Sequence, residues 1–384
     1  MVAGAKPDAD AGSDRWSVGP ASSDAGAQAR GTEVMPTEAM TDGVITETQL
    51  AEAVITLQAG GVIGLPTETV YGLAANAADE QAVASIYRIK GRPADHPLIV
   101  HVADAQAALQ WAEWTSAAQR LADAFWPGPL TLVLRRRADA PPFASAGQDT
   151  IALRVSSHPV FQRLMQALAP VGITGLAAPS ANRFGRISPS RAAHVRSGLG
   201  SAVPLVLDGG PSEVGVESTI VDLSRDAPVL LRPGGISLQA LTDCLGQPVR
   251  AADSQATREA YAPRVPGALP SHYAPSVPLR LLSADALAAL LQQRATALSA
   301  AQVPLIDGLR MGRIAVWRPE PPPEQPGLFW RRQPTEAALA ARHLYDALHQ
   351  LDALGVDAIL VEQPPVEPAW RAVQDRLQRA AAAG

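Results

Sequence analysis

The sequence predicts two α/β units, the first built on a mixed, twisted sheet and the second on a small parallel sheet. Three observations support this fold class. Short apolar runs rich in β-branched residues alternate with helically spaced apolar residues over residues 44–245, and the predicted strands outnumber the helices. Several of these runs lie close enough along the chain to be antiparallel neighbours, which favours a mixed sheet. After residue 276, strands and helices alternate regularly, as in a parallel α/β fold.

The amino-acid composition is that of a globular protein. The 384 residues are 47% hydrophobic and 18% charged, which excludes disordered, collagenous and disulfide-stapled classes. The single cysteine, Cys244, excludes internal disulfides and Cys-based zinc ribbons and is consistent with a reducing cytoplasm. The net charge of −5 argues against a protein that coats nucleic acid. No apolar run approaches the roughly 18 residues that a membrane helix requires, so we expect a soluble, cytoplasmic protein.

Residues 1–43 predict a disordered leader. They are rich in Ala, Gly, Asp and Ser and have no hydrophobic period, so burial cannot offset the entropy lost on ordering. They also lack the apolar core of a secretory signal. From residue 45, apolar residues recur at helical spacing as far as Leu57, and Gly60 and Gly61 end that predicted helix.

Helical spacing of apolar residues and short β-branched runs also predict the rest of the first unit, which spans residues 44–245. Strands are expected at residues 62–65, 97–102, 130–135, 150–155, 205–207, 219–223 and 229–231. Helices are expected at residues 80–89, 116–125, 158–168 and 190–196. These lengths are ordinary for a globular α/β protein.

A linker is predicted at residues 246–276, followed by the second unit at residues 277–384. The linker has four prolines between Pro263 and Pro275, and proline disfavours regular structure. In the second unit, strands are expected at residues 277–282, 313–317 and 357–361, and helices at residues 284–299, 335–354 and 369–380. A Pro-rich loop, residues 319–327, lies inside this unit.

Lys90 is conspicuous because lysine is rare in this chain. Of the 32 basic residues, only Lys6 and Lys90 are lysines. Lys90 is followed by Gly91 and Arg92 at the predicted end of a helix. A lysine point charge beside an arginine fork suits a polyphosphate ligand. The alternative is helix capping, since the C-terminus of a helix attracts cations.

Other polar residues are clustered near the ends of predicted strands, where α/β proteins bind ligands. Thr69 lies in the segment PTETVYG after the first strand, and Ser218 and Arg232 lie at later strand ends. A helix cap is the alternative role for such a threonine. Arg154 lies within a strand, on the face opposite its apolar neighbours. It is therefore either exposed at a sheet edge or directed at a carboxylate or phosphate.

The segment LAAPSANRFGRISPS, residues 176–190, predicts a loop that binds phosphate or ribose oxygens. It supplies Ser180, Asn182, Ser188 and Ser190, and its small residues permit close approach to backbone N–H groups. The part of the loop after Asn182 also suits the start of a helix.

No metal site and no common nucleotide or hydrolase motif is predicted. His96 and His101 are five residues apart on an extended run and face opposite sides, without an HExxH motif. The Walker A, GxGxxG and GxSxG motifs are missing as well. The candidate site has many hydrogen-bond donors, and no single general base is identified.

Together these motifs resemble the Sua5/YciO/YrdC family. The segments PTETVYGL, KGRP, HPLIVHV, WPGPLTLVL, TIALRV, APSAN and STIVDL, followed by LRPG, occur in the order and spacing of that family. The linker segment PGALPSHYAP and the unit after it are similar to those of the long, Sua5-type members. The resemblance implies a YrdC-like open, twisted mixed sheet with a positively charged cavity, followed by a small Rossmann-like C-terminal domain.

The resemblance also implies an activity. Members of the family condense L-threonine, bicarbonate or CO₂, and ATP into threonylcarbamoyl-AMP and release pyrophosphate. The product serves the formation of N6-threonylcarbamoyladenosine in tRNA and passes to the tRNA threonylcarbamoyl transferase complex, and the family also implies a contact with tRNA. Mg²⁺ is expected with ATP, held largely by the phosphates, and no protein ligand for it is identified.

Matched motif by motif, the resemblance implies three groups of site residues. The implied L-threonine contacts are Thr69, His101, Arg154, Ala178 and Ser218. The implied ATP contacts are Arg92, His96, Thr150, Ser180, Ser190, Arg232 and the linker residue Tyr273. The residues implied around the reacting centre are Lys90, Arg92, Ser180 and Asn182. His96 departs from the family pattern, since related sequences often carry Asn or Lys there.

Two other functions agree with parts of the sequence. A non-catalytic module that binds double-stranded RNA or tRNA would use a concave basic surface, but the negative net charge and the threonine-pocket motifs argue against it. A carbamoyltransferase of hydrogenase maturation would carry Cys-rich zinc fingers, whereas this chain has only Cys244. Turnover of ATP to pyrophosphate that requires threonine and bicarbonate separates the enzyme from the RNA-binding module.

Overall fold

The computed structural model describes residues 45–251, 263–267, 269–299, 305–306 and 308–382. The predicted leader, residues 1–43, and part of the predicted linker lie outside these residues. Within the described ranges the chain forms a nine-stranded, a four-stranded and a two-stranded sheet with accompanying helices, and the predicted α/β fold class is confirmed.

The first sheet contains nine strands among the described residues and is mixed, as predicted. In chain order the strands are β1 (Ile63–Leu65), β2 (Gly72–Asn76), β3 (Ile99–Val102), β4 (Leu130–Arg135), β5 (Thr150–Arg154), β6 (Gly175–Ala177), β7 (Thr219–Asp222), β8 (Val229–Arg232) and β9 (Arg250–Ala251). Their order across the sheet is β1-β2-β6-β3-β5-β4-β7-β8-β9. Parallel pairs such as β3–β5 and β4–β7 occur beside antiparallel pairs such as β4–β5. The last strand, β9, lies in the stretch predicted as linker.

The helices of the first unit pack their apolar faces against this sheet. They are α1 (Glu47–Gln58), α2 (Glu80–Lys90), α3 (Ala105–Ala108), α4 (Ser116–Phe125), α5 (Pro159–Leu168), α6 (Ala192–Leu199) and α7 (Leu238–Leu245). Ile86 of α2 and Leu121 of α4 share a core with Leu132 and Leu153 of the central strands. Gly91 ends α2 with a φ of 63°, a left-handed conformation that glycine adopts without strain.

Four elements of the first unit are not predicted by the sequence pattern: β2, β6, α3 and α7. The strands β2 (GLAAN) and β6 (GLA) consist of glycine, alanine, leucine and asparagine without β-branched residues, so they lack the usual strand signature. They form strands because neighbours on both sides pair with them. Conversely, the strand expected at residues 205–207 is represented by an isolated bridge between Gly64 and Val206.

The second unit contains a four-stranded sheet among the described residues, and all of its neighbouring strands are parallel. Its strands are β10 (Leu279–Leu282), β13 (Ile314–Arg318), β14 (Leu328–Arg332) and β15 (Ala358–Glu362), in the order β10-β15-β13-β14. Its helices are α8 (Ala284–Ser299), α9 (Ala337–Asp352) and α10 (Arg371–Ala381), and β11 (Leu305–Ile306) pairs with β12 (Leu309–Arg310). The sequence pattern does not predict β14, which directly follows the Pro-rich loop. Over the described ranges, no helix combines the length and apolarity needed to cross a bilayer.

An apolar core joins the two units. Val70 and Ile187 of the first unit pack in it with Leu344 of α9 and Val373 of α10. Tyr273 of the linker is buried in the same core, with 1% of its surface exposed. The second unit therefore contacts the loops of the first unit that carry the predicted ligand residues.

Candidate active site

The strands β3, β5 and β4 bring three polar side chains together on the first sheet. β5 lies between the other two, and Arg154 of β5 is directly opposite His101 of β3 and Thr131 of β4. Residues directly opposite each other in a sheet project to the same face. Arg154 is 4% exposed, so the alternative of an edge-exposed arginine is wrong.

A buried ion pair holds Arg154. Its Nη2 donates to Glu68 Oε1 over 2.7 Å, and the Ser156 hydroxyl donates to the second carboxylate oxygen of Glu68. Burial alone would raise the pKa of Glu68, but Arg154 and Ser156 outweigh burial and lower that pKa. The Nε–H of Arg154 has no partner among the described residues and is left for a ligand.

His101 is a neutral histidine beside Arg154. Its ring is buried, with its centroid 5.7 Å from that of Phe161. Burial, and then the charge of Arg154, lower the pKa of His101 to about 3. Its Nδ1 has no hydrogen-bond partner in the described part of the chain. A neutral ring in this position offers a ligand a hydrogen-bonding group without adding charge.

Ser218 and Arg232 extend this group toward β7 and β8. Ser218 Oγ lies 2.7 Å from Thr131 Oγ1. Arg232 donates from Nη2 to Ser218 Oγ and from Nε to Ser218 O, each over 3.0 Å. Its Nη1 donates to Pro266 O of the linker over 2.8 Å. The structure thus brings Ser218, an implied contact of L-threonine, and Arg232, an implied contact of ATP, into direct hydrogen bonding.

Thr69 and Ala178 lie on two segments that are hydrogen-bonded to each other. Thr69 Oγ1 is 2.9 Å from Thr67 Oγ1, and both residues are buried. Farther along, Leu73 N donates to Pro179 O over 2.7 Å. The turn that carries Thr69 leads into the strand β2, so a helix-cap role for Thr69 is wrong.

Lys90 projects from the end of α2 to the loop predicted to bind phosphate or ribose. Its Nζ donates to Ser180 O over 2.5 Å and to Asn182 O over 2.7 Å. The Nζ of Lys90 makes its hydrogen bonds to this loop, while the N–H of Gly91 donates to the last carbonyl oxygens of α2, those of Tyr87 and Arg88. Burial, and then the charge of Arg92, lower the pKa of Lys90 well below its usual value.

Arg92 and His96 lie on the segment after α2 and share an aromatic neighbour. Arg92 is buried and donates from Nη2 to Pro97 O over 3.0 Å. Its guanidinium lies 5.6 Å from the ring centroid of Phe184, and the half-buried His96 ring meets the same ring edge-on at 5.5 Å. Burial lowers the pKa of Arg92 to about 10, which leaves it cationic at neutral pH.

Asn182 offers a buried acceptor that is not used. Its Nδ2 donates to Arg183 O over 2.9 Å and to Arg186 O over 2.7 Å, which fixes the orientation of the amide. Its Oδ1 is buried without a partner among the described residues. A cavity of about 530 Å³ lies against Lys90 and Asn182. A donor on a bound substrate is a natural partner for that oxygen.

Thr150 and Ser190, two of the implied ATP contacts, are both buried. Thr150 begins β5, and Ser190 Oγ lies 3.4 Å from His194 Nδ1 on α6. In the described part of the chain, no hydrogen bond connects Ser190 to Arg92 or Arg232. The nucleotide contact that the resemblance implies for Ser190 stays a prediction.

Tyr273 of the linker lies between the two units. Its ring centroid is 5.6 Å from that of Tyr345 on α9 and 5.5 Å from the guanidinium carbon of Arg376 on α10. Its backbone has a φ of 65°, which is uncommon for a residue other than glycine. Burial, and then the charge of Glu217, raise the pKa of Tyr273 to about 12. The phenol is therefore neutral, and its Oη has no partner among the described residues.

Sequence reasoning missed a buried carboxylate, Glu217 of the motif ESTIVDL. Ser188 donates to its Oε1 over 2.6 Å, while Tyr345 and Arg376 Nε each donate to its Oε2 over 2.8 Å. Burial alone would raise the pKa of Glu217, but nearby arginines, Arg376 first, outweigh burial and lower it to about 2. Its place beside a predicted threonine contact is the signal that sequence reasoning could have used.

The four predicted cations are all buried. Their exposed fractions are 3% for Lys90, 7% for Arg92, 4% for Arg154 and 3% for Arg232. The charge of Arg92 acts on both Lys90 and Arg232, and Arg154 is connected to Arg232 through Thr131 and Ser218. Buried cations with unused donors are suited to bind anions. The fold and these residues together define an α/β protein with buried cations in its mixed-sheet unit and a second α/β unit packed against that unit.

Comparison with known proteins identifies the family. Residues 56–234 match the Sua5/YciO/YrdC family, described as telomere recombination, and residues 236–382 match the family described as threonylcarbamoyl-AMP synthase, C-terminal domain. The threonylcarbamoyl-AMP synthase of Bacillus subtilis (strain 168) is 37% identical over 357 residues, which cover 89% of this chain and 96% of that relative. That of Schizosaccharomyces pombe is 35% identical over 354 residues, or 83% of this chain and 84% of the relative.

A solved structure gives the same result. The crystal structure of Pyrococcus abyssi Sua5 complexed with L-threonine is 33% identical in sequence and has a TM-score of 0.76. The match covers 88% of this chain and 95% of that chain. This chain belongs to the Sua5-type threonylcarbamoyl-AMP synthase family. Membership of an enzyme family favours a catalytic role over a non-catalytic RNA-binding module.

Proposed function

We propose that this protein is a threonylcarbamoyl-AMP synthase, an enzyme of the nucleotidyltransferase class. It condenses L-threonine, bicarbonate or CO₂, and ATP to threonylcarbamoyl-AMP and pyrophosphate, for N6-threonylcarbamoyladenosine formation in tRNA. The observation that carries the proposal is the burial of Lys90, Arg92, Arg154 and Arg232 in one site of a chain from this family.

The main obstacle to this reaction is repulsion between two anions. The threonine amine loses a proton and combines with CO₂, or with bicarbonate with loss of water, to give a carbamate. A carbamate oxygen then attacks the α-phosphorus of ATP, and the bond to pyrophosphate breaks. Preorganised Lys90, Arg92 and Arg232 offset the repulsion between carbamate and triphosphate and stabilise the charge of the transition state.

In this proposal, L-threonine binds beside β3, β5 and β4. The free Nε–H of Arg154 donates to the threonine carboxylate, while Glu68 fixes the guanidinium through Nη2. The paired hydroxyls of Thr131 and Ser218 bind the threonine hydroxyl. The bond between the two hydroxyls uses only one of their two protons, so an amino acid without a hydroxyl would leave the other proton unpaired and is penalised. The remaining proposed contacts are Thr69, His101 and the main chain at Ala178.

ATP binds around Arg92 and Arg232 in this proposal. The proposed contacts are Arg92, His96, Thr150, Ser180, Ser190, Arg232 and Tyr273. Arg92 and His96 pack on the same ring, that of Phe184, and this proximity supports a common role. The unused Tyr273 hydroxyl supports a polar contact from the linker. Lys90, Ser180 and Asn182 complete the reacting centre next to the cavity.

The linker and the second unit keep water from the reaction. Pro266 of the linker accepts from Arg232, and Tyr273 is buried against α9 and α10. An adenylate is readily hydrolysed, so exclusion of water protects the product. This gives the second unit a purpose although it carries no catalytic motif of its own.

Mg²⁺ enters as part of the ATP complex. In the residues that the structure describes, no three His, Cys, Asp or Glu side chains are grouped so that they could hold a metal ion. The acids near the cations, Glu68 and Glu217, are each paired with an arginine. The phosphates and water would therefore supply most of the Mg²⁺ ligands.

We expect the reaction to occur in the cytoplasm, beside the enzymes that modify tRNA. One cysteine in 384 residues fits a reducing compartment. Because the product is easily hydrolysed, it must pass promptly to the tRNA threonylcarbamoyl transferase complex. A contact with tRNA would serve the same transfer.

Pyrophosphate release tests the proposal. The purified full-length chain should convert ATP only when L-threonine and bicarbonate are both present, and mass spectrometry should detect threonylcarbamoyl-AMP. L-valine, which replaces the hydroxyl of threonine by a methyl group, should be a poor substrate. Arg154→Ala should raise the KM for threonine, whereas Arg120→Ala, at an exposed arginine, should not. RNA binding without turnover would overturn the proposal.

A further inference from the structure

Glu217 is held by side chains from both units. It is 7% exposed, and its carboxylate accepts from Ser188 of the first unit. Its other donors, Tyr345 and Arg376, lie on α9 and α10 of the second unit. Three donors on two oxygens leave little of this carboxylate unsatisfied, so its charge is stabilised in spite of burial.

The neighbours of Glu217 support the cations of the proposed active site. The next residue, Ser218, accepts two hydrogen bonds from Arg232. Ser188 lies on the loop whose carbonyl oxygens accept from Lys90. Glu217 is therefore next in sequence to Ser218, which binds Arg232. Through Ser188 it is also hydrogen-bonded to the loop whose carbonyl oxygens bind Lys90.

The charge of Glu217 also opposes the effect of burial on these cations. Burial favours the neutral forms of Lys90 and Arg232, and the negative charge of Glu217 favours their cationic forms. In a desolvated site a single charge has a large effect on the pKa of its neighbours, because the effective dielectric constant is low. Arg376 in turn favours the ionised form of Glu217.

We propose that Glu217 is a positioning residue, a buried counter-charge that keeps Lys90 and Arg232 cationic and that α9 and α10 hold in place. Its effect on catalysis rests on the proposed function, whereas its effect on Lys90 is measurable without turnover. The second unit then does more than cover the site. Its Tyr345 and Arg376 stabilise the buried carboxylate of Glu217 beside the site.

A neutral amide cannot replace this carboxylate. Ser188, Tyr345 and Arg376 all donate to it, and a glutamine would direct an NH₂ group at one or more of these donors. It would also leave the buried cations without their shared anion. Lys90 would lose its proton first, because the pKa of an arginine is much higher than that of a lysine.

Of the cations in this cluster, Lys90 is the first to lose its proton as pH rises, because burial lowers its pKa well below the usual value of a lysine and arginines keep their protons to higher pH. The titratable and charged groups around Glu217 are Lys90 of α2, Arg92 after it, Arg232 of β8, His272 and Tyr273 of the linker, Tyr345 of α9, and Asp375 and Arg376 of α10. Burial lowers the pKa of His272 to about 3 and raises those of Tyr273 and Tyr345, so all three are neutral near pH 7.

Lysine-specific NMR tests the counter-charge directly, because the chain contains only Lys6 and Lys90. In the full-length protein labelled with ¹³C-lysine, the Lys90→Arg variant identifies the Lys90 signal by its disappearance. The pH titration of that signal is then compared in wild type, Glu217→Gln and Glu217→Asp. We expect Glu217→Gln to lower the midpoint by about one pH unit or more. Glu217→Asp keeps the charge and should leave the midpoint within roughly 0.3 unit of wild type.

A double variant separates the charge from its structural effect. Glu217→Gln alone removes one of the two acidic partners of the buried Arg376, which keeps Asp375, and destabilises the fold, whereas Glu217→Gln combined with Arg376→Met removes both members of the Glu217 ion pair. Because Arg376→Met also removes a positive charge from the cluster, the double variant is compared with Arg376→Met alone, which differs from it only in the carboxylate. A counter-charge role predicts a lower Lys90 midpoint in the double variant than in Arg376→Met. Equal midpoints in these two proteins, or an unchanged midpoint in Glu217→Gln, overturn the inference.

Enzyme kinetics on the same variants distinguish this inference from the proposed function. If wild type makes threonylcarbamoyl-AMP, the alkaline limb of kcat should move to lower pH in Glu217→Gln, by the amount that the Lys90 midpoint moves. The KM for threonine should change little. If wild type makes no product, the proposed function fails, while the NMR titration still decides whether Glu217 is the counter-charge of Lys90.

Discussion

Arg232 donates to Ser218 twice, from Nη2 to the hydroxyl and from Nε to the carbonyl oxygen, each over 3.0 Å. Its remaining nitrogen, Nη1, reaches Pro266 O of the linker. One guanidinium therefore connects the segment before β7, the end of β8 and the linker. In the proposed reaction it also connects the threonine side of the site to the nucleotide side.

Arg232→Lys should lose most activity although it keeps the charge. A lysine has one nitrogen, which cannot make the three directed hydrogen bonds of the arginine fork. We expect kcat/KM for ATP to fall about 100-fold, or roughly 3 kcal/mol. Steady-state pyrophosphate release measures this, with Arg120→Lys at an exposed position as the matched control. Equal kcat/KM in Arg232→Lys and wild type would mean that charge alone suffices.

Lys90→Ala should lower kcat by two to three orders of magnitude, or roughly 3 to 4 kcal/mol. The change removes a cation from the site together with the donors to Ser180 O and Asn182 O. The pKa of Lys90 is lowered, so wild-type activity should fall as pH rises through that pKa and the cationic form is lost. The residual activity of Lys90→Ala should lack this alkaline limb. A limb that persists in the variant belongs to another group.

The sequence predicts an element correctly where the residues that determine it lie close together along the chain. The helix α4 was predicted and found at Ser116–Phe125, because the apolar spacing and the Thr115 cap lie within a few residues of one another. The strands β2 and β6 could not be predicted, because their glycines and alanines become strands only by pairing with distant segments. Tertiary contacts decide such elements.

The cations of the candidate site could be predicted from residue chemistry, but their partners could not. Glu68 and Arg154 are separated by 86 positions, and Glu217 and Arg376 by 159, so no local spacing predicts either ion pair. The burial of Arg154 likewise follows from the position of β5 between two other strands. A strand's own sequence does not reveal whether it lies at the edge of a sheet.

Removal of the residues after 250 should destabilise the first unit as well as reduce turnover. Val70, Ile187 and Val216 lose apolar cover, and Glu217 loses Arg376. An unpaired charge that stays buried costs about 3 to 5 kcal/mol, and contact of Glu217 with solvent after loss of α9 and α10 offsets part of that cost. Thermal unfolding of the truncated chain measures this loss, and Glu217→Ala in the truncated chain should recover part of it. If the truncated chain melts like the full one, the contacts between the units contribute little stability.

Tyr273→Phe should weaken the binding of ATP without destabilising the fold. The hydroxyl has no partner among the described residues, so its loss should change the free energy of unfolding by about 0.5 kcal/mol or less. A several-fold rise in KM for ATP would place the hydroxyl on the nucleotide. Tyr273→Ala also removes the ring contacts with Tyr345 and Arg376, and should cost about 3 kcal/mol of stability and lower kcat. An unchanged KM for ATP in the Phe variant excludes the hydroxyl as a ligand contact.

Acid should destabilise the folded chain through Glu217. Its pKa is about 2 in the folded chain, against 4.5 for an unperturbed glutamate. Because the folded pKa is the lower one, the unfolded chain binds more protons as pH falls. The stabilisation is therefore complete above pH 4.5 and is lost as pH falls toward 2. Urea unfolding at a series of pH values should show a smaller loss of stability for Glu217→Gln/Arg376→Met than for wild type between about pH 5 and pH 3. Parallel curves for the two proteins would show that Glu217 is not held as a paired carboxylate.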